Sequence, residues 1–142
     1  MQVGAEALYN AFRHSYSNSA EERQQAEAQI TAAAGSAGFL AALLQISVEP
    51  QAELPIRQAA AIQLKNQVRR SWHTCDGPCY AEAEKAAIRG GLIDAIAGAF
   101  AATGVRVQLL ESFRLAASHD YPNQWPGLQE RLLAGLRSDD TV

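Results

Sequence analysis

From Leu54 to Trp72 apolar side chains return at every fourth position, through Ile56, Ala60, Leu64, Val68 and Trp72. That spacing lays one apolar stripe along an α-helix and predicts a single helix over the stretch. Pro55 suits its first turn, where the missing N–H costs nothing and the fixed φ already fits. At about 100° per residue, Lys65, Asn66 and Arg69 fall on the side away from Leu64. Arg57, seven residues before Leu64, lands almost on the stripe itself, an odd place for a charge. One face is built for burial, and the other offers a polar, partly basic surface.

The same pattern predicts helices on either side. A first helix over Gly4 to His14 puts Ala5, Leu8 and Phe12 on one side. A polar break ends it, and Ser19 with Glu22 makes a capping-box pattern that starts a second helix, running through Ala26 and Ile30 to about Ala34. Gly35 ends that helix, and Ser36 is expected to cap a third from Ala37 to about Ser47. Beyond Trp72, Tyr80 to Phe100 is helical by the spacing of Ile88, Leu92, Ala95, Ile96 and Ala99, with a bend expected at Gly90-Gly91. Thr103-Gly104 should break the chain before a helix from Val105 to Ser118, striped by Val105, Leu109, Phe113 and Ala116. His119-Asp120-Tyr121-Pro122 is expected to end it, with Asp120 as a turn or cap residue. A last helix begins near Asn123 on Trp125, Leu128, Leu132 and Leu136, and residues 138–142 form a polar tail. With no continuous β-branched run, the fold class is all-α.

Seven predicted helices joined by short loops invite a search for repeats. Aligned on an early arginine, the second, fourth and sixth helices superpose Arg23, Arg57 and Arg106. Three residues on stand Ala26, Ala60 and Leu109; seven on, Ile30, Leu64 and Phe113; eleven on, Ala34, Val68 and Ala117. The spacings of 34 and 49 lie around the range of HEAT-type helical hairpins. An arginine opening the second helix of each pair gives Arg57 a reason: a stacked repeat can offer it an acidic or carbonyl partner. Only stacking buries every stripe, so the expected architecture is a HEAT-repeat α-solenoid of about three hairpins plus the first helix of a fourth. A compact helical bundle is the structural alternative, because four-residue spacing is common to both.

Composition agrees with a folded helical chain. Of 142 residues, 48% are hydrophobic and 19% charged, enough apolar surface for one domain core and too much for disorder. The net charge of −3 gives no general attraction to nucleic acid. The longest apolar run, Gly38 to Leu44, is too short to span a bilayer, and the N-terminus lacks the regions of a signal peptide. Cys75 and Cys79 lie in one loop with His73 and no second ligand pair, so two free thiols are a better reading than a zinc site. There is no Gly-rich phosphate loop, paired-histidine metal motif or nucleophile elbow, so no enzyme and no cofactor is expected.

Arg57-Gln58-Ala59, Leu64-Lys65-Asn66 and the closing Trp72 resemble the N-terminal domain of the importin-β (karyopherin) family. Supporting matches are Arg23 with Ala26-Glu27, Gly38-Phe39 before Leu43-Leu44-Gln45-Ile46, Val105-Arg106-Val107-Gln108-Leu109, and Asp120-Tyr121-Pro122 with Trp125-Pro126. The last two motifs look most like the larger importins and their exportin cousins. Together they cover essentially the whole chain, residues 1–142, which is expected to be a fragment of a longer receptor or else a truncated gene product that cannot wrap a cargo.

The resemblance implies a nuclear transport receptor that shuttles between cytoplasm and nucleus and supports protein import. It implies binding of the small GTPase Ran in its GTP form on a concave face lined by the second helix of each repeat. That assigns Lys65, Asn66 and Arg69 in the second repeat, and Glu111, Arg114 and Ser118 in the third, to Ran contact. Thr31, Ala32 and Gly35 at the same places in the first repeat offer little chemistry. Arg23, Arg57, Arg106, Trp72, Asp120 and Trp125 are assigned structural roles. Cargo and nuclear pore proteins are implied partners of a whole receptor. The other readings are a HEAT scaffold using the same face for another protein, the N-terminal part of an exportin, and, disfavoured by charge, a helical nucleic-acid binder.

Overall fold

The computed structural model describes residues 4–72, 80–99 and 101–120, with the single positions 128, 130 and 133. Six α-helices are present among them: α1 (Ala5–His14), α2 (Ala20–Ala33), α3 (Phe39–Val48), α4 (Leu54–Ser71), α5 (Glu82–Gly98) and α6 (Thr103–Asp120). They pair as the hairpins α1/α2, α3/α4 and α5/α6. The first helices of the hairpins stack in the order α1, α3, α5, while α4 packs along α6. This is a HEAT-repeat α-solenoid, all helical among the described residues.

α4 is the centre of the stack. Ile56, Ala60, Leu64, Val68 and Trp72 are all buried against α3 and α6. α3 is the most apolar helix and buries Phe39, Leu40, Leu43 and Ile46 between its neighbours. α2 differs from both: only Ala26 and Ile30 are buried, and its close packing is with α1 alone. The first hairpin is therefore held through α1, whose Leu8 and Phe12 enter the common core.

The three aligned arginines occupy one structural position. Each backbone N–H closes the first helical turn on the residue four earlier: Arg23 on Ser19, Arg57 on Glu53 and Arg106 on Ala102. The side chains of the first two reach back to carbonyls of the preceding segment. Arg23 Nη1 donates to Ser17 O at 2.8 Å, and Arg57 Nε donates to Ser47 O at 3.0 Å. Arg57 thereby satisfies one of the orphan carbonyls at the end of α3 and adds a cation where the helix dipole favours one. Arg106 is half-buried in the same register on α6.

Several boundaries differ from the predicted ones. Ser36 does not cap α3: Gly38, at φ 86°, precedes the helix, and Glu84 on α5 accepts from the Leu40 N–H at 3.0 Å instead. A carboxylate one repeat away thus does the work of a local cap. Ser19 does cap α2, accepting from the Glu22 N–H at 3.4 Å, but the Glu22 carboxylate turns to the Ser17 hydroxyl. α5 runs unbroken through Gly90 and Gly91. A Cβ at Gly91 would lie 3.2 Å from Leu44 Cδ2, so the glycine serves the close approach of α3 and α5. Thr103 and Gly104 begin α6 rather than interrupting the chain, and a Cβ on Gly104 would run into Gln58 of α4. On α6, Ser112 rather than Phe113 is the fully buried side chain, which turns the stripe slightly from the predicted one.

The end of α6 carries the main correction. Asp120 is helical and buried, and it is neither a turn residue nor a cap. Its Oδ2 accepts from Trp72 Nε1 at 2.7 Å and from Arg89 Nη1 at 2.9 Å. The other arm of Arg89 pairs with Glu82, while Lys85 donates to Trp72 O at 3.0 Å and lies 5.8 Å above the indole ring. Burial lowers the Arg89 pKa, but the bonds to Glu82 and Asp120 outweigh it and leave the guanidinium above its ordinary range. Asp120 thus joins α6 to α4 through Trp72 and to α5 through Arg89, a residue not singled out by sequence.

A second link joins the hairpins. The Tyr80 hydroxyl donates to Gln67 Oε1 at 2.8 Å and accepts from the Gly35 N–H at 3.1 Å, and burial pushes the phenol up to about 12. Trp125, Leu132, Leu136, His73, Cys75, Cys79 and the polar tail lie outside the described residues. Of the last predicted helix, Leu128 is buried and Leu133 exposed.

Two stability measurements check this packing. Asp120→Ala should cost about 3 kcal/mol in urea unfolding, because it strands a buried guanidinium arm and the indole N–H. A variant as stable as the parent would remove Asp120 from the frame. Gly90→Ala, whose Cβ meets nothing within 4 Å, should gain about 0.5–1 kcal/mol, while Gly91→Ala should not, owing to Leu44. Equal gains at both positions would contradict the close approach of α3 and α5.

Candidate partner-binding face

α4 and α6 run parallel, with Gln58 against Gly104 near their N-termini and Trp72 against Asp120 at their C-termini. The register places Lys65 and Arg69 of α4 beside Glu111 of α6. Arg114 Nε and Nη2 donate to Glu111 Oε2 and Oε1 at 3.0 and 2.5 Å, a bidentate pair one helical turn apart. Arg69 Nη2 approaches the same carboxylate across the helix boundary at 3.8 Å. The hydrogen bonds from Arg114, with the charges of Arg114, Arg69 and Lys65, hold the Glu111 carboxyl below the usual range. Three cations thus surround one carboxylate on a chain whose total charge is −3.

Sequence reasoning named six residues for this face. The structure brings Lys65, Arg69, Glu111 and Arg114 into one electrostatic cluster. Asn66 is half-buried on the same flank of α4 as Lys65. Ser118 is exposed farther along α6, where its hydroxyl donates to Leu115 O at 2.8 Å within its own helix. Thr31 and Ala32 of α2 are exposed and belong to the helix that packs apart from this pair.

Exposed apolar residues also belong here and were missed. Ile62 is 39% exposed and stands one turn before Lys65 and Asn66; Val107, 51% exposed, stands one turn before Glu111. Leu110, 45% exposed, flanks it on α6. Their signal in the sequence was an apolar residue at helical spacing within the polar face, where burial by the same hairpin is impossible. On the α3–α5 side a separate apolar groove of about 470 Å³ lies between Leu44, Val48, Ile88 and Gly91. Among the described residues no cluster of three or more His, Cys, Asp or Glu could hold a metal ion, and no helix is long and apolar enough to cross a membrane.

Stacked hairpins that bury one face of each helix and align a second, mixed basic and apolar face define a helical-repeat protein with a surface suited to another macromolecule. Comparison with known proteins narrows the class. The importin-β N-terminal domain model matches residues 26–97, from α2 to the end of α5, and the chain belongs to that family. It is 33% identical over 112 residues to importin-8 of Danio rerio, covering 72% of this chain and 11% of that protein. It is 33% identical to importin-8 of Homo sapiens over 112 residues, 73% of this chain and 11% of the relative. It is 28% identical over 124 residues to an importin beta-like SAD2 homolog of Arabidopsis thaliana, 86% of this chain and 12% of the relative. The chain therefore spans a small part of the relatives it matches, and Glu111, Arg114 and Ser118 lie beyond the residues matched by the family model.

Solvent-exposed ion pairs contribute little to folding, because water screens them and ordering long side chains costs entropy. Lys65→Ala and Arg69→Ala should therefore leave the urea midpoint and the helical circular dichroism unchanged. A clear loss of either would make these residues part of the frame rather than of an available surface.

Proposed function

We propose that this chain is the N-terminal part of a nuclear transport receptor and binds the small GTPase Ran in its GTP form through the α4–α6 face. The observation that carries the reading is the convergence of Lys65, Arg69, Glu111 and Arg114 from two repeats onto one exposed face. Membership of the importin-β N-terminal domain family supports it. A frame of stacked helices holds such a face rigid, so a partner meets preformed charge and shape rather than ordering a loop on arrival. Asn66 and Ser118 extend the face along α4 and α6. In this reading the receptor shuttles between cytoplasm and nucleus and supports protein import, while cargo and pore contacts belong to the whole receptor.

Pull-down against Ran loaded with GTP or GDP tests the proposal. Binding to the GTP form alone is expected, and equal binding to both, or none, would overturn it. The Lys65→Glu/Arg69→Glu variant should weaken binding at least about tenfold with unchanged circular dichroism, since reversing two charges puts like charges against the partner.

A further inference from the structure

Glu111 is the carboxylate among the three cations Lys65, Arg69 and Arg114 on this face. It is held by Arg114 through two hydrogen bonds, by Arg69 at 3.8 Å and by the charge of Lys65. Each of those cations would be a ready partner for a carboxylate from outside, and Glu111 already occupies that role. The side chains of Arg69 and Arg114 are 55% and 65% exposed, so an incoming group can reach both. Exposed pairs of this kind can be displaced by an incoming group, at a modest cost that is larger where the geometry is bidentate, as between Arg114 and Glu111. Beside them Ile62 and Val107 leave apolar surface open to solvent.

We propose that the partner seated on the α4–α6 face presents carboxylates next to apolar side chains, and that Glu111 competes with those carboxylates for Arg69 and Arg114. The inference rests on the reading of this face as the partner surface. Charge complementarity supports it: Lys65, Arg69 and Arg114 against Glu111 leave the face basic, although the chain as a whole is acidic. Glu111 then has two effects. It keeps the arginines extended toward each other when the face is empty, and it lowers affinity, because an arginine that turns to a partner carboxylate must first loosen its hold on Glu111. Ile62 and Val107 supply an apolar surface that Glu111 does not oppose.

The test compares binding of GTP-loaded Ran to the full chain and to charge variants, by titration at low and at physiological ionic strength. Glu111→Gln should bind about three- to tenfold more tightly, with a steeper loss of affinity as salt rises, because it removes the internal competitor and leaves three cations. Glu111→Gln/Arg114→Gln should return toward the parent, and Ile62→Ser/Val107→Ser should weaken binding without changing the salt dependence. Glu6→Gln on α1 makes the same change in net charge away from the face and should have no effect. Parent binding with Glu111→Gln unchanged or weaker overturns the competition and leaves the proposed function standing. A partner that uses basic groups on this face would give the weaker result. Absence of binding by the parent itself overturns the function and this inference together.

Discussion

Asp120 Oδ2 is the point on which the geometry of the second and third repeats depends. One oxygen accepts from the indole N–H at the end of α4 and from a guanidinium arm of α5, at 2.7 and 2.9 Å. A buried carboxylate is costly unless its charge and lone pairs are met, and here the charge is met by Arg89, which Glu82 holds from its other side. The bond therefore links the last turn of α4 to the last turn of α6. With Gln58 against Gly104 at the other end, α4 and α6 are fixed in parallel over most of their length. Burial of the apolar stripes supplies the drive to stack; these polar contacts specify how the stack is aligned.

The face opposite the core follows from that alignment. Were α6 to slide by one turn, about 5.4 Å, Glu111 would no longer stand beside Lys65 and Arg69. The Arg114–Glu111 pair, which lies within α6, would move as one and leave Lys65 and Arg69 behind on α4. The interactions that align the helices are buried, whereas those on the face are exposed and contribute little to folding. A repeat protein can in this way vary its face without loss of frame.

Much of the frame was legible in the sequence. The four-residue stripe from Ile56 to Trp72 and the recurrence of Arg23, Arg57 and Arg106 are local and periodic, and both have structural counterparts in the described residues. The shared N-cap register of the three arginines shows why the alignment worked: each marks the same distance from the start of its helix. What was not legible depends on neighbouring repeats. Glu84 capping α3 and Asp120 gripping Trp72 join residues 44 and 48 positions apart, and neither leaves a local pattern. Glycine was misread for the same reason. Gly91 looked like a bend and Gly104 like a break, yet each admits a side chain of another helix. On the face, the charged residues were visible by helical spacing, but the exposure of Ile62 and Val107 follows only from what the stacked helices leave uncovered.

The proposed function puts the GTPase on the α4–α6 face and not in the apolar groove between α3 and α5. Hydroxyl-radical footprinting of the chain with and without GTP-loaded Ran tests it most directly. The account predicts protection of Ile62, Val107 and Leu110, with Leu44 and Val48 of the groove unchanged. Protection of Leu44 and Val48 with Ile62 and Val107 still open would contradict it.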